Sequence, residues 1–120
     1  MTEASMEFPD EEIKELEKYC PAVRLVYEGG LIYFYIPALN LPDGCVPKIV
    51  EAMLCPVQRD GYTSRLFLSE MVKTPFPRNW NANGVRIVER QWYAFSYNNI
   101  QKMTLLQMLG AHLRGLKENR

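Results

Sequence analysis

Chemistry in this chain of 120 residues has few places to come from: three cysteines, a single histidine and an asparagine-rich stretch. Cys20, Cys45 and Cys55 are irregularly spaced and form no CxxC pair. That pattern fits neither a zinc centre nor a disulfide framework, so no metal or cofactor is expected. A reducing cytoplasm is the matching compartment. A thiolate would be the strongest nucleophile on offer, able to accept an acyl group and pass it on. Cys45 and Cys55, however, flank an apolar segment, where a cysteine ordinarily serves as a small hydrophobe. His112 falls on an apolar helical stripe, which favours packing over catalysis.

Charge narrows the choice further. Lysine and arginine number 14 and so do the acids, for a net charge of zero. No global field gathers nucleic acid or an anionic membrane, and neither is expected as a partner. The acidic start, MTEASMEFPDEE, has no apolar signal region, and no apolar stretch is long enough to span a bilayer. The length suits one domain over residues 1–120, with residues 1–8 as a loose terminus.

The elements that must position these side chains are organised around residues 31–56. Residues 31–39 are apolar at almost every position and rich in aromatic and β-branched types, which suits a strand buried on parts of both faces. Residues 40–44, Asn-Leu-Pro-Asp-Gly, carry turn chemistry, and residues 46–54 return as a second long strand. Upstream, Pro9 opens a short amphipathic helix ended by Pro21, and residues 23–28 lead through Gly29-Gly30 into the central strand. Residues 65–69 make a fourth strand. Residues 73–84, with two prolines and three asparagines, read as a long loop packed down by Phe76 and Trp80. Residues 85–97 contain two β-like segments, RIVE at 86–89 and QWYAFSY at 91–97. Leu105, Leu109, His112, Leu113 and Leu116 form one stripe of a final helix, with Thr104 and Gln107 as a capping box and Lys117 and Arg120 near its end. The expected class is α+β, a four-stranded antiparallel meander between an N-terminal and a C-terminal helix.

Gly30-Leu31-Ile32-Tyr33, Leu41-Pro42-Asp43-Gly44 and Val50-Glu51-Ala52-Met53-Leu54 with Pro56 resemble the strand–LPxG–strand passage of the prokaryotic ubiquitin-conjugating-like family E. Gln91-Trp92-Tyr93-Ala94-Phe95-Ser96 is similar to that family's W-x-x-W-S segment, with Phe95 in place of the second tryptophan. The resemblance covers roughly residues 23–116. It implies a ubiquitin-conjugating-like fold in a bacterial ubiquitin-like modification pathway. A ubiquitin-like protein and a ubiquitin-activating-type enzyme would then be the partners.

The departures from that pattern bear on mechanism. No cysteine follows Cys55, whereas ordinary conjugating enzymes carry their nucleophile after the long loop. Counting from Gly84 puts that slot near Ile87, and counting back from the last helix puts it near Gln91 or Trp92. The W-S-R-H ending is changed to Phe95-Ser96-Tyr97-Asn98, which removes a base. What remains in the matching region is Ser96 as a hydroxyl nucleophile, and Asn79, Asn81 or Asn83 as an amide for an oxyanion, unless these asparagines are simply loop formers. Trp80 and Trp92 read as packing anchors or, if exposed, as partner hot spots. Glu11 and Glu12 read as a solvated face or as a dock for the activating enzyme. The expected function is a component of that pathway without a standard catalytic cysteine; the alternative is a non-catalytic interaction module on the same fold.

Overall fold

The computed structural model describes residues 8–97 and 103–117. Residues 1–7 of the expected loose terminus, Asn98 and Arg120 lie outside them. Phe8 packs edge-on against Phe34 at 6.1 Å, so the chain is already anchored there. Pro9, at φ −59°, leads into α1 (Asp10–Tyr19), whose first turn holds Asp10, Glu11 and Glu12, where negative charge suits the helix dipole. Leu16 is the buried residue of this helix.

Gly29 and Gly30, at φ 59° and 78°, close the tight turn between β1 (Arg24–Glu28) and β2 (Leu31–Asn40). β3 (Ile49–Cys55) pairs antiparallel with β2, and β4 (Arg65–Leu68) pairs antiparallel with β3. The β2–β3 register shifts between Ile36 and Leu39, around Pro37, which has no N–H to give the ladder. The meander is therefore present, but four strands is too few. β5 (Trp80–Ile87) and β6 (Arg90–Phe95) form a hairpin that extends the sheet to six strands in the order β1-β2-β3-β4-β6-β5.

This corrects the reading of residues 73–84 as loop throughout. Trp80-Asn81-Ala82-Asn83-Gly84 is loop-like in composition, yet it pairs with β6 through register shifts between Trp80 and Ala82 and between Asn83 and Val85. Such bulges absorb an extra residue without ending the strand, which hides the alternation expected of a regular one. They also leave one outer edge of the sheet, β5, irregular. The other edge, β1, runs in unbroken register from Arg24 to Glu28.

Alternation along the central strands sorts two cores. Ile32, Phe34 and Ile36 join Val50, Ala52, Leu54, Leu66 and Leu68 beneath α1 and α2 (Leu105–Lys117), where Leu16, Leu105, Leu109 and Leu116 meet them. Tyr33, Met53 and Phe67 face the other way and gather with Ala82, Ile87, Trp92 and Ala94 of the hairpin. Residues 31–39 thus serve both faces, as their composition predicts. Across the second face Glu51 accepts two bonds from Arg90, at 2.7 and 2.9 Å, and one from the Tyr35 hydroxyl at 2.5 Å. Arg90 first and Tyr35 second hold the Glu51 carboxyl below the usual range.

α2 opens with the expected capping box: Thr104 N–H donates to Gln107 Oε1 at 2.9 Å, and Gln107 N–H donates to Thr104 Oγ1 at 3.3 Å. Glu12 also accepts from Leu105 N–H at 3.2 Å, tying α1 to the start of α2.

The β5–β6 turn is built on Val88 and Glu89, both at positive φ, 45° and 62°. A β-branched residue is strained there, and Asn is a preferred first residue of such a turn. Val88 N–H donates to Glu28 Oε1 at 2.8 Å, and that bond survives replacement of the side chain. Val88→Asn should therefore raise the unfolding free energy in urea by about 1 kcal/mol. An unchanged or lowered midpoint would show that the turn carries no such strain.

Candidate functional site

The thiols are in the wrong places for acyl chemistry. Cys20, Cys45 and Cys55 are all buried, and burial pushes each thiol pKa up, away from thiolate. Ile87 and Trp92, two of the positions that match the nucleophile slot of ordinary conjugating enzymes by count, are enclosed side chains, and Gln91 is exposed. Among the described residues no group of three or more His, Cys, Asp or Glu side chains could hold a metal ion.

The geometry points instead to the place where β5 begins and β6 ends. Asn79 precedes β5 and Ser96 follows β6, and Ser96 N–H donates to Asn79 O at 2.7 Å. Between this backbone pair and α2 lies a cleft of about 320 Å³, lined by Pro77, Arg78, Asn79, Ser96, Tyr97 and Gly115. Gly115 lets Tyr97 close on α2 beside the cleft. A methyl group on it would stand 2.7 Å from Tyr97 Cδ1, so the tyrosine ring rests directly on the helix backbone. Arg78 donates through Nε to Gly115 O and through Nη1 to Pro77 O at 2.8 Å, which places its guanidinium in the cleft wall. Its Nη2 is enclosed and has no hydrogen-bond partner among the described residues.

Ser96 is exposed, and its hydroxyl lies 2.8 Å from the Tyr62 hydroxyl. Tyr62 oxygen also accepts from Asn81 Nδ2 at 2.7 Å. Asn81 is oriented for this because Arg65 donates to its Oδ1. Arg65 opens β4, yet it is only 3 % exposed, so its charge needs partners close at hand. It finds Asp60 Oδ2 at 3.1 Å, Phe95 O at 3.3 Å and the face of the Tyr62 ring at 4.4 Å. The Ser96 and Asn81 hydrogen bonds and the Arg65 charge lower the Tyr62 pKa, outweighing burial and Asp60. The result is a polar chain, Arg65–Asn81–Tyr62–Ser96, that starts in the interior and ends at the cleft.

A second polar pair looks more familiar but does less. Ser64 Oγ and His112 Nε2 are 2.9 Å apart, the spacing of a nucleophile and its base. Both residues are enclosed, at 3 % and 2 % exposure, and no substrate reaches them. Burial first, then Arg65, lowers the His112 pKa to about 4. The ring packs edge-on against Tyr97 and Phe95, at 5.4 and 6.4 Å. His112 is a core residue.

The other expected site residues are dispersed. Trp92 is fully enclosed, donates from Nε1 to Ile87 O at 3.0 Å, and offers no surface to a partner. Trp80 is half-buried and packs edge-on against Phe95 at 5.7 Å. Glu11 is exposed on α1, whereas the carboxylate of Glu12 is engaged at the start of α2. Asn83 Nδ2 donates to Trp80 O at 2.9 Å. Tyr62 and Arg65 were not anticipated. The one signal for them was an arginine at the head of the otherwise apolar run Arg65-Leu66-Phe67-Leu68, a charge that had to be paired if that strand was buried. Compared with known proteins, the chain matches no family model, no curated protein and no solved structure.

Proposed function

We propose that the chain is a ubiquitin-conjugating-like component of a bacterial ubiquitin-like modification pathway, acting in the cytoplasm without a thiol. Its partners are a ubiquitin-like protein and a ubiquitin-activating-type enzyme. The observation that carries this reading is the exposed Ser96 hydroxyl on a cleft beside Asn79, in a chain whose cysteines are all buried. The order helix, meander, proline-bearing segment, hairpin and final helix is compatible with it, and the motif likenesses around the LPDG turn and Trp92 support it. Incubation with such an activating enzyme, its ubiquitin-like protein and ATP tests it. The expected product is an adduct that resists reductant, yields to hydroxylamine, and persists when Cys20, Cys45 and Cys55 are all replaced by small residues. An adduct removed by reductant, or no adduct and no binding, sinks the reading.

The alternative is a non-catalytic interaction module on the same fold. It is favoured by Val46, Ile49 and Met71, which stand 63 %, 56 % and 52 % exposed around the start of β3 and the end of β4. Large apolar side chains left in water are common at binding surfaces. Partner binding without an adduct, lost on Ile49→Asp but kept on Ser96→Ala, would select this alternative.

A further inference from the structure

We propose that Ser96 is a nucleophile toward activated acyl groups, thioesters and reactive esters, and that Tyr62 is the group that takes its proton. This uses the site named above but not its protein partners, so it can hold where the ubiquitin-like reading fails. A serine hydroxyl is a poor nucleophile until a base stands within hydrogen-bond reach and a third group orients that base. Here the base at 2.8 Å is a phenol, and the orienting group is the Asn81 amide at 2.7 Å, itself held by the enclosed Arg65. The arrangement has the logic of a triad built from different side chains.

The groups facing the phenol favour its anion. Arg65 lies under the ring from β4, Asn81 donates from β5, and Ser96 can donate from the end of β6. Asp60 opposes them, but its carboxylate is paired with Arg65 at 3.1 Å and Arg59 at 3.3 Å. His112 of α2 stays neutral at pH 7 and adds no charge. On the other side of Ser96 the Arg78 guanidinium and Asn79 line the cleft, where they suit an oxygen that gains negative charge.

The reaction balances with water alone. Ser96 Oγ bonds to the acyl carbon while its proton passes to the Tyr62 phenolate. The carbon–sulfur bond of a thioester then breaks, and the departing thiolate takes the proton from Tyr62, leaving an acyl ester on Ser96. Water adds to that ester and gives a proton to Tyr62. The same proton returns to Ser96 as its oxygen leaves, releasing the carboxylic acid. An amine in place of water would yield an amide by the same steps.

A fluorophosphonate probe with intact-mass readout, and hydrolysis of p-nitrophenyl acetate, test this on the purified chain alone. One phosphonyl adduct is expected, mapping to Ser96 and absent in Ser96→Ala. Tyr62→Phe should slow labelling and hydrolysis by about 10-fold or more, within the usual range for loss of a general base. It should also abolish the rise in rate through the Tyr62 titration expected of the wild type as pH increases. Asn81→Ala should give a smaller loss. Ser96→Cys supplies a second readout, since its alkylation by iodoacetamide should follow the same Tyr62-dependent pH profile. Melting curves matching the wild type would show that each variant is folded. No adduct, an adduct at another residue, or unchanged rates and pH profile in Tyr62→Phe would overturn the proposal. Labelling at Ser96 with no transfer from a ubiquitin-like protein would overturn only the pathway reading.

Discussion

Replacing Trp92 by alanine should lower the unfolding free energy by about 3–5 kcal/mol, the cost of emptying a large aromatic site in a core that cannot collapse around it. The side chain is wholly enclosed, and it binds the second face together. Tyr35 meets it edge-on at 6.4 Å, and the Arg90 guanidinium lies 4.9 Å over its ring. Among the described residues no helix covers this face, because α1 and α2 both pack on the other core. The hairpin itself is the cover, and Trp92 is its largest fully buried side chain. Its indole N–H also donates to Ile87 O, a bond that alanine cannot make. Trp80→Ala, at a half-buried position, should cost distinctly less. Urea titrations of both variants check the contrast, and a Trp92→Ala loss below about 1 kcal/mol would mean that the second core contributes little.

Acid should remove about 3 kcal/mol of stability through His112 alone, between pH 6.5 and 4. Burial lowers the pKa of this ring from 6.5 to about 4. Between those values the unfolded chain binds a proton that the folded chain refuses, so acidification favours unfolding. Above pH 6.5 the ring is neutral in both states and the effect vanishes. His112→Gln cannot titrate but can still bond Ser64. It should be less stable than the wild type at pH 7 and should lose much less on going to pH 4.5. The carboxylates, Glu51 among them, act in both proteins, so the difference between the two pH curves isolates the histidine. Parallel curves would show that His112 does not titrate in this window.

The parts of the fold legible in the sequence are those whose signals are local. Gly29-Gly30 marks its turn by conformational freedom, residues 31–39 their two-faced burial by composition, and Thr104 with Gln107 the start of α2 by side-chain reach. Each is set by residues a few positions apart. Only residues 80–84 of β5 read as loop, because its bulges interleave Asn81 and Gly84 with the pairing residues and break the period of two where it was needed. The cleft was half visible. Asn79 and Ser96 were both candidates, but Tyr62 reaches Ser96 across 34 positions and Arg65 reaches Asn81 across 16. Nothing local in either partner announces such a pairing; it exists only once β4, β5 and β6 lie side by side. His112 and Trp92 make the converse point, since residue types able to do chemistry or recognition are here enclosed and structural.

The two outer strands of the sheet set a valency. β5 is bulged twice, and an irregular edge is a poor template for another strand. β1 runs regular over five residues, with Leu25 and Tyr27 exposed along it. A molecule with two matching edges can add neighbours without end and grow a fibre; a molecule with one can only be capped. Any strand-to-strand association of the folded chain through β1 would therefore stop at a pair, since the copy that joins uses up the edge on which the next would have to land.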